Sequence, residues 1–200
     1  MTLTVFLNQL LAMQLSMNEI SVLLELGYKG FSREDILSNP NRCPLNTYSP
    51  SALTRTLQKL SSKNPAIIHI NSLSKPKPTY ELINKCSDYD KSEYAPILLS
   101  ITRSRVLTVN TMRVALQMIV NKKKISTARY LANQLNLNPD YLAATVLPRM
   151  IVIGLLKTSI IVNADESGDI NLLEKDKSID KLHGICLNSD WKGTSETTLL

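Results

Sequence analysis

Ser49-Pro50-Ser51-Ala52-Leu53-Thr54-Arg55-Thr56-Leu57-Gln58-Lys59-Leu60 and Asn138-Pro139-Asp140-Tyr141-Leu142-Ala143-Ala144-Thr145-Val146-Leu147 share one layout: a capping side chain, a proline, then a helical pattern. The cap oxygen accepts hydrogen bonds from first-turn amides, and proline at the first helical position gives up an amide that had no partner anyway. Both stretches therefore read as helix starts. Each is preceded by a short amphipathic segment and followed by an apolar run leading into a polar turn. A chain of 200 residues is long enough for one domain or for two small ones of roughly 80 residues each. The repeated layout favours two.

Working outward from the first stretch, Leu3, Phe6, Leu7, Leu10, Leu11 and Leu15 recur at three- and four-residue spacing and predict an N-terminal helix with an apolar stripe. Such a stripe packs against the core or pairs with a second subunit. Residues 18–26 carry Ile20, Leu23, Leu24 and Leu26 and run into Gly27, read as a helix stop. Ser32 followed by Asp35 resembles a capping box and starts a short helix through Leu37. In the Ser49–Lys63 helix, Ala52, Leu53, Leu57 and Leu60 face inward, which leaves Ser51, Thr54, Arg55, Gln58 and Lys59 outward. Residues 66–70 and 79–83 read as strands flanking a turn with Lys75, Pro76, Lys77 and Pro78, a wing whose lysines suit a DNA backbone. Residues 86–108 form a glycine-poor bridge, with Tyr94, Ile97, Leu98 and Ile101 marking a connecting helix.

The second unit repeats the order. Met112, Ala115, Leu116, Ile119 and Val120 line a helix over 109–120; Lys122, Lys123 and Lys124 follow; residues 126–135 form a short helix bearing Arg129, with Ala128, Leu131, Ala132 and Leu135 inward. A tight turn at 136–138 leads into the second proline-opened helix, which presents Asp140, Tyr141 and Thr145. Pro148 lies within it and would cost about 3 kcal/mol in an unkinked helix, so the helix is expected to end near Leu147 or to kink. Residues 158–162 and 170–173 are expected to pair as strands around the acidic tip Asp165-Glu166-Ser167-Gly168-Asp169. The domains are thus 1–85, a helical linker over 86–108, 109–175, and a polar, loosely ordered tail over 176–200. The expected fold class is mainly α with small β-hairpins: two winged helix-turn-helix units joined by a helical linker.

Charge is uneven. The first 163 residues hold net +10 and the rest −4, giving +6 overall and a pI near 9.2. A basic balance suits a polyanion, because lysine and arginine displace counterions condensed on phosphate. Cys43, Cys86 and Cys186 are widely spaced with no CxxC, and read as reduced thiols without structural zinc or disulfides. The first 18 residues carry no charge, but Asn8, Gln9, Gln14 and Ser16 interrupt them and no basic start precedes them. No other stretch approaches 18 consecutive apolar residues. The expected location is cytoplasmic, at the nucleoid, with no membrane contact.

Ser51-Ala52-Leu53-Thr54-Arg55-Thr56-Leu57-Gln58-Lys59-Leu60 resembles the recognition helix of MarR-type regulators, a resemblance covering residues 17–83. Ser126-Thr127-Ala128-Arg129-Tyr130-Leu131-Ala132, the Asn138-Pro139-Asp140-Tyr141-Leu142 start and Gly154-Leu155-Leu156 are similar to the bacterial iron-sulfur-cluster regulator family. Cluster-bearing members group several cysteines after the wing; this chain has Cys186 alone there, so no cluster and no other cofactor is expected. The resemblances imply sequence-specific double-stranded DNA binding, usually as a homodimer.

The leading expectation is a bacterial, phage or plasmid transcriptional regulator. Ser51, Thr54, Arg55, Gln58 and Lys59 would enter a major groove, where Arg55 and Gln58 have the donors for bidentate base contacts. Lys75 and Lys77 would hold the backbone, as would Lys122, Lys123, Lys124 and Arg129, with Tyr141 and Thr145 at a second groove. Two heads in one chain also suit a plasmid replication initiator. A protein-interaction adaptor is the alternative from another class; it should show an exposed apolar patch on the presented helix, where a DNA reader shows Arg or Lys. Catalysis is not expected: His69 and His183 lack partners at useful spacing, no Walker, GxGxxG or zinc-protease motif occurs, and the acids between 165 and 180 lack calcium-loop order. No metal site is expected.

Overall fold

Two polar caps start the first two helices. Thr2 accepts from the Val5 amide at the head of α1 (Leu3–Ala12), and Ser16 with Glu19 forms a capping box at the head of α2 (Met17–Tyr28). The computed structural model describes residues 1–28, 31–32, 50–63, 66–71, 79–104, 106–121, 126–161, 163–164, 170–171 and 182–192. Within these the chain is mainly helical with small antiparallel sheets, and it divides into two compact units, Met1–Leu107 and Thr108–Trp191.

In the first unit, β1 (Phe31–Ser32) and α3 (Pro50–Ser61) are followed by β2 (Ile68–Asn71), β3 (Thr79–Leu82) and α4 (Ala95–Arg103). The sheet order is β1-β3-β2, all antiparallel, with Phe31 opposite Tyr80 and Ile68 opposite Leu82. Phe31 and Ser32 are therefore strand, not simply the lead-in to a helix; the short helix expected through Leu37 lies outside the described residues. The core gathers Leu23 and Leu24 of α2, Leu53, Leu57 and Leu60 of α3, and Ile68, Tyr80 and Leu82 of the sheet.

Two sequence expectations change here, and a third is narrowed. Gly27 does not stop α2. A Cβ at that position would lie 2.7 Å from Phe6 Cε1 and 3.3 Å from Tyr89 Cδ2, so the glycine lets α1 and Tyr89 approach inside a continuing helix. Most of the α1 stripe packs within its own unit: Leu3, Phe6, Leu7, Leu10 and Leu15 are buried, whereas Leu11 is half-buried and Val5 is 47% exposed. The bridge is core as well. Tyr89, Ile97, Leu98 and Ile101 are buried, Asp88 accepts from the Leu3 amide at 2.6 Å, and Thr102 donates to Glu25 at 3.1 Å.

The second unit opens with α5 (Val109–Asn121), where Thr108 and Thr111 cap each other's amides, then α6 (Ala128–Leu135), capped by Thr127. Asn136 ends α6 in the left-handed region (φ 52°), and the Leu137 amide reaches back to the Ala132 carbonyl at 2.9 Å. This is the tight turn into α7, one continuous helix in three segments: Pro139–Tyr141, a π segment Leu142–Val146, and Leu147–Val152. Pro148 neither ends nor interrupts it. The Leu147 amide donates five residues back to the Leu142 carbonyl, and this widened turn accommodates a ring that would clash with the carbonyl four residues before it.

Strand β4 (Leu156–Ile161) pairs along its length with β7 (Leu182–Leu187), from Leu156 opposite Leu187 to Ile161 opposite Leu182. The expected pairing with 170–173 survives only as a short ladder between β5 (Asn163–Ala164) and β6 (Ile170–Asn171). Residues 182–191, read from sequence as tail, thus belong to the unit. Ser126 bridges Ile185 through two backbone hydrogen bonds of 2.8 and 2.9 Å, giving the order Ser126-β7-β4. That repeats β1-β3-β2: a strand fragment ahead of the proline-opened helix and a strand pair after it, the later strand in the middle.

Candidate nucleic-acid interface

The buried positions of α3 orient its other side. With Leu53, Leu57 and Leu60 packed inward, Ser51, Arg55, Gln58 and Lys59 are exposed and Thr54 is half-buried. These positions recur every three to four residues and form one stripe along the helix. The stripe holds no acid, and serine, arginine, glutamine and lysine supply the donors that read phosphates and base edges.

Lys59 is exposed but tied to a buried acid. Its Nζ lies 3.2 Å from Glu19 Oε1, and Lys63 Nζ is 3.6 Å from the same oxygen. Glu19 is 2% exposed and its other oxygen accepts from the Ser16 amide at 2.8 Å and hydroxyl at 2.7 Å. Burial alone would push the Glu19 carboxyl up; the Ser16 hydrogen bonds and the Lys59 ammonium outweigh it and hold the group below the usual carboxylate range. One buried acid thus ties α3 to α2 through two lysines. Lys63 and Glu19 were not singled out from sequence, although Ser16-Met17-Asn18-Glu19 is a legible capping box.

No protein family model, curated protein or solved structure matches this chain.

The other expected contacts divide. Lys75, Lys77, Lys122, Lys123 and Lys124 lie outside the described residues, as do the proline turn and the acidic hairpin tip. Arg129 is exposed on α6. Tyr141 (44% exposed) and Thr145 are exposed on α7, where the Tyr141 hydroxyl accepts from Asn110 Nδ2 at 3.4 Å. Their neighbours on the outer surface are Asp140, Ala143, Ala144, Pro148, Arg149 and Val152, the last 82% exposed. The two proline-opened helices therefore present different chemistry: α3 is polar and basic, whereas α7 is largely uncharged and apolar.

Elsewhere in the first unit a cavity of about 200 Å³ is lined by Leu26, Gly27, Tyr28, Glu81, Leu82, Lys85 and Cys86. Burial, with the Asp88 carboxylate 3.6 Å away, pushes the Cys86 thiol up to about 11. A thiol so shifted is protonated at neutral pH. Among the described residues no His, Cys, Asp and Glu group of three or more is placed to hold a metal, and no helix is long and apolar enough to cross a membrane.

Proposed function

We propose that the protein is a sequence-specific double-stranded DNA-binding transcriptional regulator whose first unit reads DNA through α3. The observation that carries this reading is the exposed stripe Ser51, Arg55, Gln58 and Lys59, free of acidic residues, on a helix held from behind by its own apolar core. Support comes from the sheet order β1-β3-β2, which suits a wing after the recognition helix, and from the excess of basic residues over the first 163 positions. In this mechanism Arg55 and Gln58 contact base edges in a major groove, while Lys59, part-neutralised by Glu19, lies along the rim.

The test is a selection of duplexes from a random library by the purified protein, followed by titration of the selected and a scrambled duplex. Arg55→Ala should cost about 1–3 kcal/mol on the selected duplex and little on the scrambled one. Equal affinity of the parent for both duplexes, or full discrimination by Arg55→Ala, overturns the assignment.

A further inference from the structure

The two lysines at the end of α3 share an acid that the surface does not show. Lys59 Nζ and Lys63 Nζ lie 3.2 and 3.6 Å from the same oxygen of Glu19, Oε1. The Glu19 side chain is 2% exposed, against 63% for Lys59 and 29% for Lys63. The two carboxylate oxygens divide the work. Oε2 accepts from the Ser16 amide and hydroxyl and completes the capping box of α2, a task that a glutamine oxygen would serve as well. The cap therefore needs an acceptor, not a charge. The charge acts on the lysines.

A surface ion pair ordinarily contributes little, because both side chains stay mobile and solvated. Here one partner is fixed. Glu19 is buried and held by two hydrogen bonds, so each ammonium is tied to a set point beside the exposed stripe of α3. That alters what these lysines can do to a polyanion. A lysine free to swing on its four-carbon stem follows phosphates wherever they lie, which is sequence-independent binding. A tied one meets a phosphate well only when the duplex sits in one register, and the acid beneath it lowers its attraction in every other.

We propose that Glu19 is a positioning residue that sets specificity: it restrains Lys59 and Lys63 so that they support the register read by Arg55 and Gln58 and add little on other sequences. This role rests on the DNA reading of α3. It assigns part of the discrimination to a buried acid that touches no DNA. Ordinary phosphate-binding lysines, when removed, weaken all duplexes alike. These two should not.

Titration of the full chain with the selected and scrambled duplexes over a range of salt tests it. E19Q keeps the capping oxygen and frees both lysines. It should bind the scrambled duplex about fivefold more tightly, with a salt dependence steeper by roughly one counterion, and change the selected duplex by less than about twofold. K59M/K63M should weaken the selected duplex at least about threefold more than the scrambled one, and E19Q added to that pair should alter neither by more than about 1.5-fold, because Glu19 acts through these lysines. Far-ultraviolet circular dichroism checks that each variant is folded; K59M/K63M carries the test alone if E19Q is not. A scrambled-duplex affinity that is unchanged or lower in E19Q, equal gains on both duplexes, or uniform weakening in K59M/K63M overturns the proposal and leaves the α3 reading standing. A parent that binds both duplexes equally, or Arg55→Ala with full discrimination, overturns the α3 reading and the role of Glu19 with it.

Discussion

Helices α3 and α7 begin with the same cap-proline device, yet they are held in place by different means. Local partners hold α3: its leucines pack on the preceding helix and the following strand, and Glu19 of α2 fixes Lys59 and Lys63. The end of α7 depends on a remote segment. Asn188 Nδ2 donates to the Gly154 carbonyl at 2.8 Å, the Asn188 amide to Leu155 at 2.9 Å, and Trp191 Nε1 to the Ile153 carbonyl at 2.9 Å. Those carbonyls follow the last turn of a helix, where partners must come from outside it. A shared local signal therefore starts both helices, but what secures each, and what each shows to solvent, is set by its own surroundings.

The sharpest way to break this contrast is to empty the core behind α3. Leu57 is fully buried, and Leu57→Ala should cost about 2–5 kcal/mol in chemical denaturation followed by circular dichroism. Arg55→Ala on the opposite side should stay within about 0.5 kcal/mol of the parent. Equal losses would mean that the exposed stripe is structural.

For α7 the matching experiment is Trp191→Phe, which keeps the buried ring but leaves the Ile153 carbonyl without its indole donor. The expected loss is about 1–3 kcal/mol, read by denaturation of the second unit through hydrogen exchange of the α7 amides. Unchanged protection would show that the returning segment does not secure the helix.

A smaller effect is expected at Gly154, which turns the chain out of α7 with φ 75° and whose amide donates to Ile151 at 2.9 Å. An added Cβ would meet only Trp191 Cδ1, at 3.9 Å, so the strain in Gly154→Ala is conformational and should amount to about 1 kcal/mol. A neutral variant would place the turn outside the left-handed region.

The finest distinction concerns Glu19. Its folded carboxyl sits below the ordinary range, so the unfolded chain takes up the proton first as pH falls. Glu19 thus contributes stability that is present above the unfolded pKa and is lost as pH drops through the lower folded value. Stability of Glu19→Gln should therefore fall less steeply than that of the parent between about pH 5 and about pH 3. Parallel curves would show that the ties from Lys59 and Lys63 to α2 carry no net ionic stabilisation.

The starts of α2, α3, α6 and α7, the α1 stripe and the β2–β3 pair were legible because caps, proline and three- or four-residue spacing act within a few residues. So was the division of α3 into an apolar inside and the outside carrying Ser51, Arg55, Gln58 and Lys59. The partner of β4 was not. Residues 170–173 are nearer in sequence and equally apolar, and only the Ser126 bridge and the capping of α7 by Asn188 and Trp191 explain why 182–187 takes that place. The buried tie from Glu19 to Lys59 and Lys63 was hidden for the same reason: its partners lie on different helices.

By itself the sequence determined where helices begin, which faces carry leucine, and that one proline-opened helix is basic and the other nearly uncharged, since these follow from side-chain chemistry at short range. Tertiary structure decided that Gly27 is a close approach and not a stop, that α1 and residues 86–107 belong to a core, and that a π turn carries α7 past Pro148. Each of these depends on what packs against a residue from far along the chain, and spacing within a segment holds no information about that neighbour.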